Sequence, residues 1–255
     1  MDELGRIPIL NSAFDPWTLP ETVDRATDWI RSGKRGYVAT VNVAILMTMR
    51  QDPWLQQFVD GASFVLADGQ PIIWASKLLS RPLPERVTGV DLVDELCGRA
   101  RREDFGVYFL GAKREVVEAV AERMQSKHPG LEISGVADGY FPESEARARA
   151  QAVADSGARL LFVGMGVPRQ EQFLEAHWAD LGANLAIGVG GSFDVIAGLR
   201  KRAPRFVQRI GMEWLFRLAQ EPRRLFKRYC VTNTQFVYHL TRELAFGRRK
   251  HARNP

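Results

Sequence analysis

The sequence predicts an α/β fold built on a mostly parallel sheet, and three observations point there. Short apolar runs of strand length alternate with longer amphipathic stretches of helical period through residues 1–198. Those short runs are apolar almost throughout, the pattern of strands covered on both faces. Each ends in small, polar or glycine-rich residues, the chemistry of strand-to-helix connections. Together they describe a Rossmann-like, doubly wound sheet domain over 1–198, followed by a basic, helical, amphipathic C-terminal appendage over 199–255.

Taken in order, Gly36–Val41 (GYVATV) and residues 63–67 (SFVLA), 107–110 (VYFL), 159–163 (RLLFV) and 184–189 (NLAIGV) read as buried strands, with 131–135 (LEISG) a weaker sixth. Helical patterns fall between them at Val43–Met49, 71–79, 90–102, Arg114–Lys127, 144–155 and 170–181. In the appendage, residues 206–219 and 231–246 read as two helices separated by a break at Glu221-Pro222-Arg223-Arg224. Neither holds the roughly 18 uninterrupted apolar residues that a spanning helix needs.

The 255 residues are 45% hydrophobic and 25% charged, a balance that excludes a disordered, collagenous or fibrous chain. Two cysteines, Cys97 and Cys230, are too few and too distant for a disulfide framework, and no cationic stretch followed by an apolar run opens the chain. A reducing, cytoplasmic setting is therefore expected. The net charge of +5 divides unevenly: residues 199–255 carry 15 Lys and Arg against 3 Asp and Glu, a net of +12, which leaves −7 for the rest. A mildly acidic body with a basic tail suggests a polyanionic partner, nucleic acid or an anionic membrane surface. The Trp, Phe and Leu interleaved with basic residues over 206–219 suit a membrane interface better than a phosphate backbone, although a solvated basic face packed on the domain has the same pattern.

In open α/β sheets ligands bind outside the carboxyl ends of the strands, so each strand exit is a place to look. Asp68 directly follows an apolar strand and precedes a glycine, which places its carboxylate at a cleft edge where a general base belongs; Asp-Gly is equally a common turn. Thr40 and Asn42, two apart at the preceding exit, can share a face and offer hydrogen bonds to a sugar. Two further exits are glycine loops, but the G-x-G-x-x-G fingerprint is left incomplete by Arg169 after Gly164 and Gly166, and by Phe193 after Gly188 and Gly190. That disfavours a nucleotide-dependent oxidoreductase. Backbone N–H groups of Gly164, Gly166, Gly190, Gly191 and Ser192 remain suited to a diphosphate, with Gln170 near a helix start. Arg86 lies in a loop before a helix, either solvated or aimed at the diphosphate. The histidines at 128, 177, 239 and 251 show no ligand spacing, so no metal site is expected.

Several of these exits, with the tail, resemble the WecG/TagA/CpsF family of bacterial glycosyltransferases, glycosyltransferase family 26. The residues that carry the resemblance are Thr40-Val41-Asn42, Ala67-Asp68-Gly69, the run from Pro82 to Leu92, Gly164 to Glu171, Gly188 to Asp194, Arg202-Ala203-Pro204, and the tail from Glu213 to Leu218 and Gln220 to Arg224. Each is weak alone; their shared order over most of the chain is specific. The resemblance implies an inverting, metal-independent transfer of one sugar from a UDP-sugar to a polyprenyl-diphosphate-linked saccharide. The enzyme would sit peripherally at the inner face of the cell membrane, with no cofactor and no nucleic acid involved. It puts the family's proposed base on Asp68, its cleft threonine and asparagine on Thr40 and Asn42, its loop arginine on Arg86 and its glutamine on Gln170. The glycine-loop residues Gly164, Gly166, Gly190, Gly191, Ser192 and Asp194 are expected to bind substrate. Tail arginines that reach over the active site fall on Arg217 and Arg224, and a third position falls on Lys227 or Arg228.

The residues agree with this at one independent point. The chain contains no Asp-x-Asp, the carboxylate pair with which many sugar-nucleotide enzymes hold a divalent cation, so cationic side chains are left to stabilise the departing UDP. Nothing in the sequence selects the sugar, the acceptor or the oligomeric state, a homo-oligomer included. The stretches Asp68 to Pro71 and Trp74 to Lys77 are similar to family members from Gram-negative bacteria and favour an exopolysaccharide or capsule over an antigen or a wall polymer.

Overall fold

The structure, a computed structural model, describes residues 5–209 and 211–251; of residues 205, 209, 224 and 246–251 it describes the backbone alone. An antiparallel hairpin, β1 (Ile7–Ile9) and β2 (Ser12–Phe14), precedes helix α1 (Leu19–Arg31). Six strands follow, each leading into helix. β3 (Gly36–Val41) runs into α2 (Val43–Met49) and α3 (Pro53–Asp60), and β4 (Phe64–Ala67) into α4 (Gln70–Leu78) and α5 (Gly89–Glu103). β5 (Val107–Gly111) leads to α6 (Arg114–Lys127), β6 (Ile133–Ala137) to α7 (Glu143–Asp155), β7 (Leu160–Gly164) to α8 (Arg169–His177) and β8 (Leu185–Gly188) to α9 (Ser192–Ile196). Helices α10 (Arg205–Arg209), α11 (Glu213–Gln220) and α12 (Pro222–His251) complete the described chain.

All six strands are parallel, in the order β4-β3-β8-β7-β5-β6. The strands alternate between two cores. Val38, Phe109, Phe162 and Ile187 pack with α1, α5, α6 and α9, while Val41, Val65, Leu110 and Val163 pack with α2, α4, α7 and α8. Phe109 and Phe162 are fully buried and stack with centroids 5.5 Å apart; truncating either to Ala would cost about 3–5 kcal/mol. The two residues are direct partners in the parallel register, so their rings pack β5 against β7 on one face of the sheet.

The expected doubly wound sheet is therefore present, with differences at the margins. The hairpin, α1 and α3 were not legible in the pattern. Two of the five buried positions of α1 are Thr22 and Thr27, whose hydroxyls donate to the carbonyls of Thr18 and Val23 four residues back, so the apolar period is interrupted. α3 is a two-turn helix fixed mainly by its start, an Asp52 cap followed by Pro53. β6 lies two residues further on than expected, and α8 ends at His177 instead of running to 181.

The appendage differs most. The pattern over 206–219 is divided into α10 and α11 near Gly211, whose φ is +75° and where a Cβ would meet Gln70 and Trp74 side-chain atoms at 2.4 and 2.5 Å. Only glycine permits both that backbone and that approach to α4. The break at 221–224 lasts a single residue: Pro222 stands in the first turn of α12, where its missing N–H costs no hydrogen bond, and the helix continues unbroken through 30 residues. α12 packs along α2, and its Phe236 and Leu240 are buried in the same core as the α2 side chains. That packing lays α11 and the first turns of α12 over the exits of β3 and β4.

Candidate active site

β3 and β4 pair in register from Val38 with Phe64 to Val41 with Ala67, so the next residue of each, Asn42 and Asp68, leave the sheet side by side. The Asp68 N–H donates to the Val41 carbonyl at 2.9 Å, which fixes that exit. Above them lies an open cleft. Asn42, Asp68, Arg86 and Ser192 wall it from the sheet side; Glu213, Trp214 and Arg217 of α11 and Arg228, Tyr229, Thr232 and Asn233 of α12 wall it from the appendage.

The Asp68 carboxylate makes no hydrogen bond among the described residues. Its pKa is raised from 3.8 to about 6, first by burial. Arg217 and Arg86 pull it down, while Glu213 and Asp91 push it up. A carboxylate of that strength is ionised near neutrality yet basic enough to accept a proton in a transition state. Because the folded value lies above the unfolded one, the native state holds this proton more tightly. Ionising Asp68 thus lowers stability as the pH rises from 3.8 to about 6.

The cations are unequal. Arg86 donates through Nη1 to Glu213 Oε2 and through Nη2 to Gln208 Oε1 at 3.3 Å, so its charge is already answered within the protein. Arg217, one turn beyond Glu213 on the same helix, makes no ion pair among the described residues and is the largest electrostatic partner of Asp68. Of the two candidates for the third tail position, Arg228 lines the cleft and Lys227 is not among its lining residues. The side chain of Arg224 lies outside the described residues; its backbone is in the first turn of α12.

The other expected site residues are placed as follows. Asn42 caps α2 by accepting from the Ile45 N–H at 3.1 Å, and its amide NH₂, on the cleft wall, makes no hydrogen bond among the described residues. Thr40 does not join it: its hydroxyl donates to the Gly188 carbonyl of β8 at 2.8 Å, inside the sheet and away from the cleft wall. Gln170 is not a cleft residue either. It is buried, and its Oε1 accepts from the backbone N–H groups of Gly166 and Gly190 at 3.2 and 3.1 Å, while its Nε2 donates to Glu171 Oε1 at 2.8 Å. It ties the two glycine loops together from behind. The glycines serve this packing: a Cβ at Gly188 would stand 2.7 Å from Gln170 Nε2, and one at Gly164 would stand 2.6 Å from the Phe193 ring. Gly166 and Gly190 have positive φ, and Gly191 lies against Arg217. Asp194 is turned from the cleft and pairs with Arg200 at 3.2 Å. Among the described residues no group of three or more His, Cys, Asp and Glu gathers where a metal ion could be held.

Glu213, Trp214, Tyr229, Thr232 and Asn233 are among the lining residues to which the sequence assigned no role in binding. Glu213 had a signal, as one of three acids in a strongly basic segment. Tyr229, Thr232 and Asn233 fall at i, i+3 and i+4 of α12 and share a face, a period that the supposed break before residue 231 concealed.

Comparison with known proteins places this cleft in context. The chain matches the model of the Glycosyl transferase WecG/TagA/CpsF family over residues 7–250. A Bacillus spizizenii protein named N-acetylglucosaminyldiphosphoundecaprenol N-acetyl-beta-D-mannosaminyltransferase is 35% identical over 198 residues, 78% of this chain and 76% of its own length. Proteins of the same name from Bacillus subtilis and Staphylococcus aureus are 32% and 29% identical; the alignments cover 72% of both chains in the first case and 87% of both in the second.

Proposed function

The chain belongs to the WecG/TagA/CpsF family of glycosyltransferases, and on that premise we propose that it transfers an N-acetylhexosamine from a UDP-sugar to a polyprenyl-diphosphate-linked saccharide by a single inverting displacement. One observation carries the reading: Asp68, a carboxylate with no hydrogen-bond partner among the described residues, shares a cleft with the cations Arg86, Arg217 and Arg228. The acceptor hydroxyl attacks the anomeric carbon from the face opposite UDP. As the new C–O bond forms, the bond from that carbon to the diphosphate oxygen breaks, Asp68 takes the hydroxyl proton, and the electron pair leaves on UDP. Arg217 and Arg228 meet the charge that builds on the leaving diphosphate, the place a divalent cation fills in enzymes with an Asp-x-Asp pair. Asn42 offers its free amide to the sugar, and Gln170 acts as a positioning residue by holding both glycine loops.

The acceptor's lipid also needs a place. α11 and α12 expose Leu215, Phe226, Val237 and Tyr238 among basic residues, a surface suited to the inner face of an anionic membrane. Among the described residues no helix is long and apolar enough to cross a membrane. The names of the relatives make N-acetylmannosamine the first donor to try and a prenyl-diphosphate-linked N-acetylglucosamine the first acceptor. The product would enter a bacterial surface polysaccharide.

UDP release across a panel of UDP-sugars, with a short-chain prenyl-diphosphate saccharide as acceptor, tests the proposal. Acceptor-dependent release should occur with UDP-N-acetylmannosamine or another UDP-N-acetylhexosamine and persist in excess EDTA. Release that requires an added divalent cation, or none with any UDP-sugar, would overturn it.

A further inference from the structure

We propose that Glu213 is an internal competitor of the substrate diphosphate: it holds Arg86, and it is passed to Arg202 as the diphosphate binds. The proposal rests on the reading that this cleft takes a glycosyl diphosphate.

Arg86 comes from the loop between α4 and α5, and the two partners of its guanidinium, Glu213 and Gln208, lie in the segment that folds over the cleft. A diphosphate oxygen entering the cleft would meet an arginine already bound to a carboxylate. Glu213 and a diphosphate oxygen would compete for Nη1 of Arg86, and the more highly charged diphosphate is favoured there. The structure supplies a second place for Glu213. Arg202 Nε stands 3.9 Å from Glu213 Oε1, and among the described residues this buried N–H has no hydrogen-bond partner. The rest of that guanidinium is anchored: its Nη2 donates to Asp91 Oδ2 at 2.6 Å, and the Thr88 hydroxyl donates to the same carboxylate at 2.7 Å. A fixed arginine with one unfilled donor beside Glu213 is a ready acceptor of the displaced carboxylate, since a buried donor left unpaired is unfavourable and gains from the exchange.

The exchange also has a consequence for the chemistry. Glu213 opens α11, and Arg217 stands one turn later on the same face. A shift of Glu213 from Arg86 to Arg202 leaves the Arg86 guanidinium facing the diphosphate with one fewer anion on it. Glu213 is thus a positioning residue that couples donor binding to the setting of α11.

Isothermal titration with UDP at fixed salt, on wild type, Glu213→Gln, Arg202→Met and the double variant, tests this. Glu213→Gln should bind UDP about tenfold more tightly, because the competing charge is gone while the shape is kept. Arg202→Met should bind about tenfold more weakly, because Glu213 then has nowhere to go. In the Glu213→Gln background Arg202→Met should have little effect, since no carboxylate remains to be passed on. Glu213→Asp, too short to hold Arg86, should also tighten binding and serves if the glutamine variant does not fold. A merely structural bond would give the opposite: folded Glu213 variants that bind UDP no tighter, or additive effects in the double variant, overturn the exchange alone. A wild type that binds neither UDP nor pyrophosphate overturns the reading of the cleft itself, and the exchange with it.

Discussion

Asp68→Asn is expected to lower kcat by about 10³-fold while leaving the Kd for UDP within about a factor of three, the range seen when a general base is removed from an otherwise intact site. The amide keeps the size of the carboxylate and cannot accept the acceptor's proton. Donor contacts should survive, because the Asp68 side chain makes no hydrogen bond among the described residues that positions a neighbour. The same residue predicts the pH dependence. The base must be ionised to work, and burial places its pKa at about 6. For wild type, kcat/KM should therefore rise with pH through a limb centred near 6 and level off above 7. The residual activity of Asp68→Asn should lack that limb. A limb that survives the substitution would assign it to another group.

Arg217→Ala is expected to produce the second largest loss, about 10²-fold in kcat with a smaller change in KM, as for other donors aimed at developing charge. Three features single out this arginine. It lines the cleft, it has no ion pair among the described residues, and it is the strongest favourable electrostatic partner of ionised Asp68. Unlike Arg86, it has no carboxylate to displace before it can face a diphosphate. Its loss should also move the acid limb of the pH profile upward, because Asp68 would no longer be pulled down. Arg217→Lys should recover part of the rate, since charge is restored without the planar fork. Steady-state kinetics of the three proteins from pH 5 to 9 measure both effects.

How much of this site was legible in the sequence depends on the kind of contact. Asp68 and Asn42 were visible because a strand exit is a local feature: an apolar run, then a polar residue, then a turn or a cap. The chemistry of Gln170 and Thr40 was visible while their placement was not, because their partners lie far along the chain. Thr40 meets the carbonyl of Gly188, and Gln170 meets the N–H of Gly190, through sheet order that no local pattern encodes. The cations of the tail were countable, and which of them face the cleft was not. That follows from Gly211 turning the chain against α4 and from Pro222 starting a helix where a break was expected. Glu213 belongs with them: an acid among arginines has meaning only once Arg86 and Arg202 are found on either side of it.

A single displacement puts Asp68 on one side of the reacting carbon and the departing UDP, met by the arginines, on the other. The anomeric configuration of the product tests it most directly. Given an α-linked UDP-N-acetylhexosamine, the proton spectrum of the product isolated before any further step should show a β linkage. An α linkage would require retention, and with it a mechanism other than the one this cleft is argued to perform.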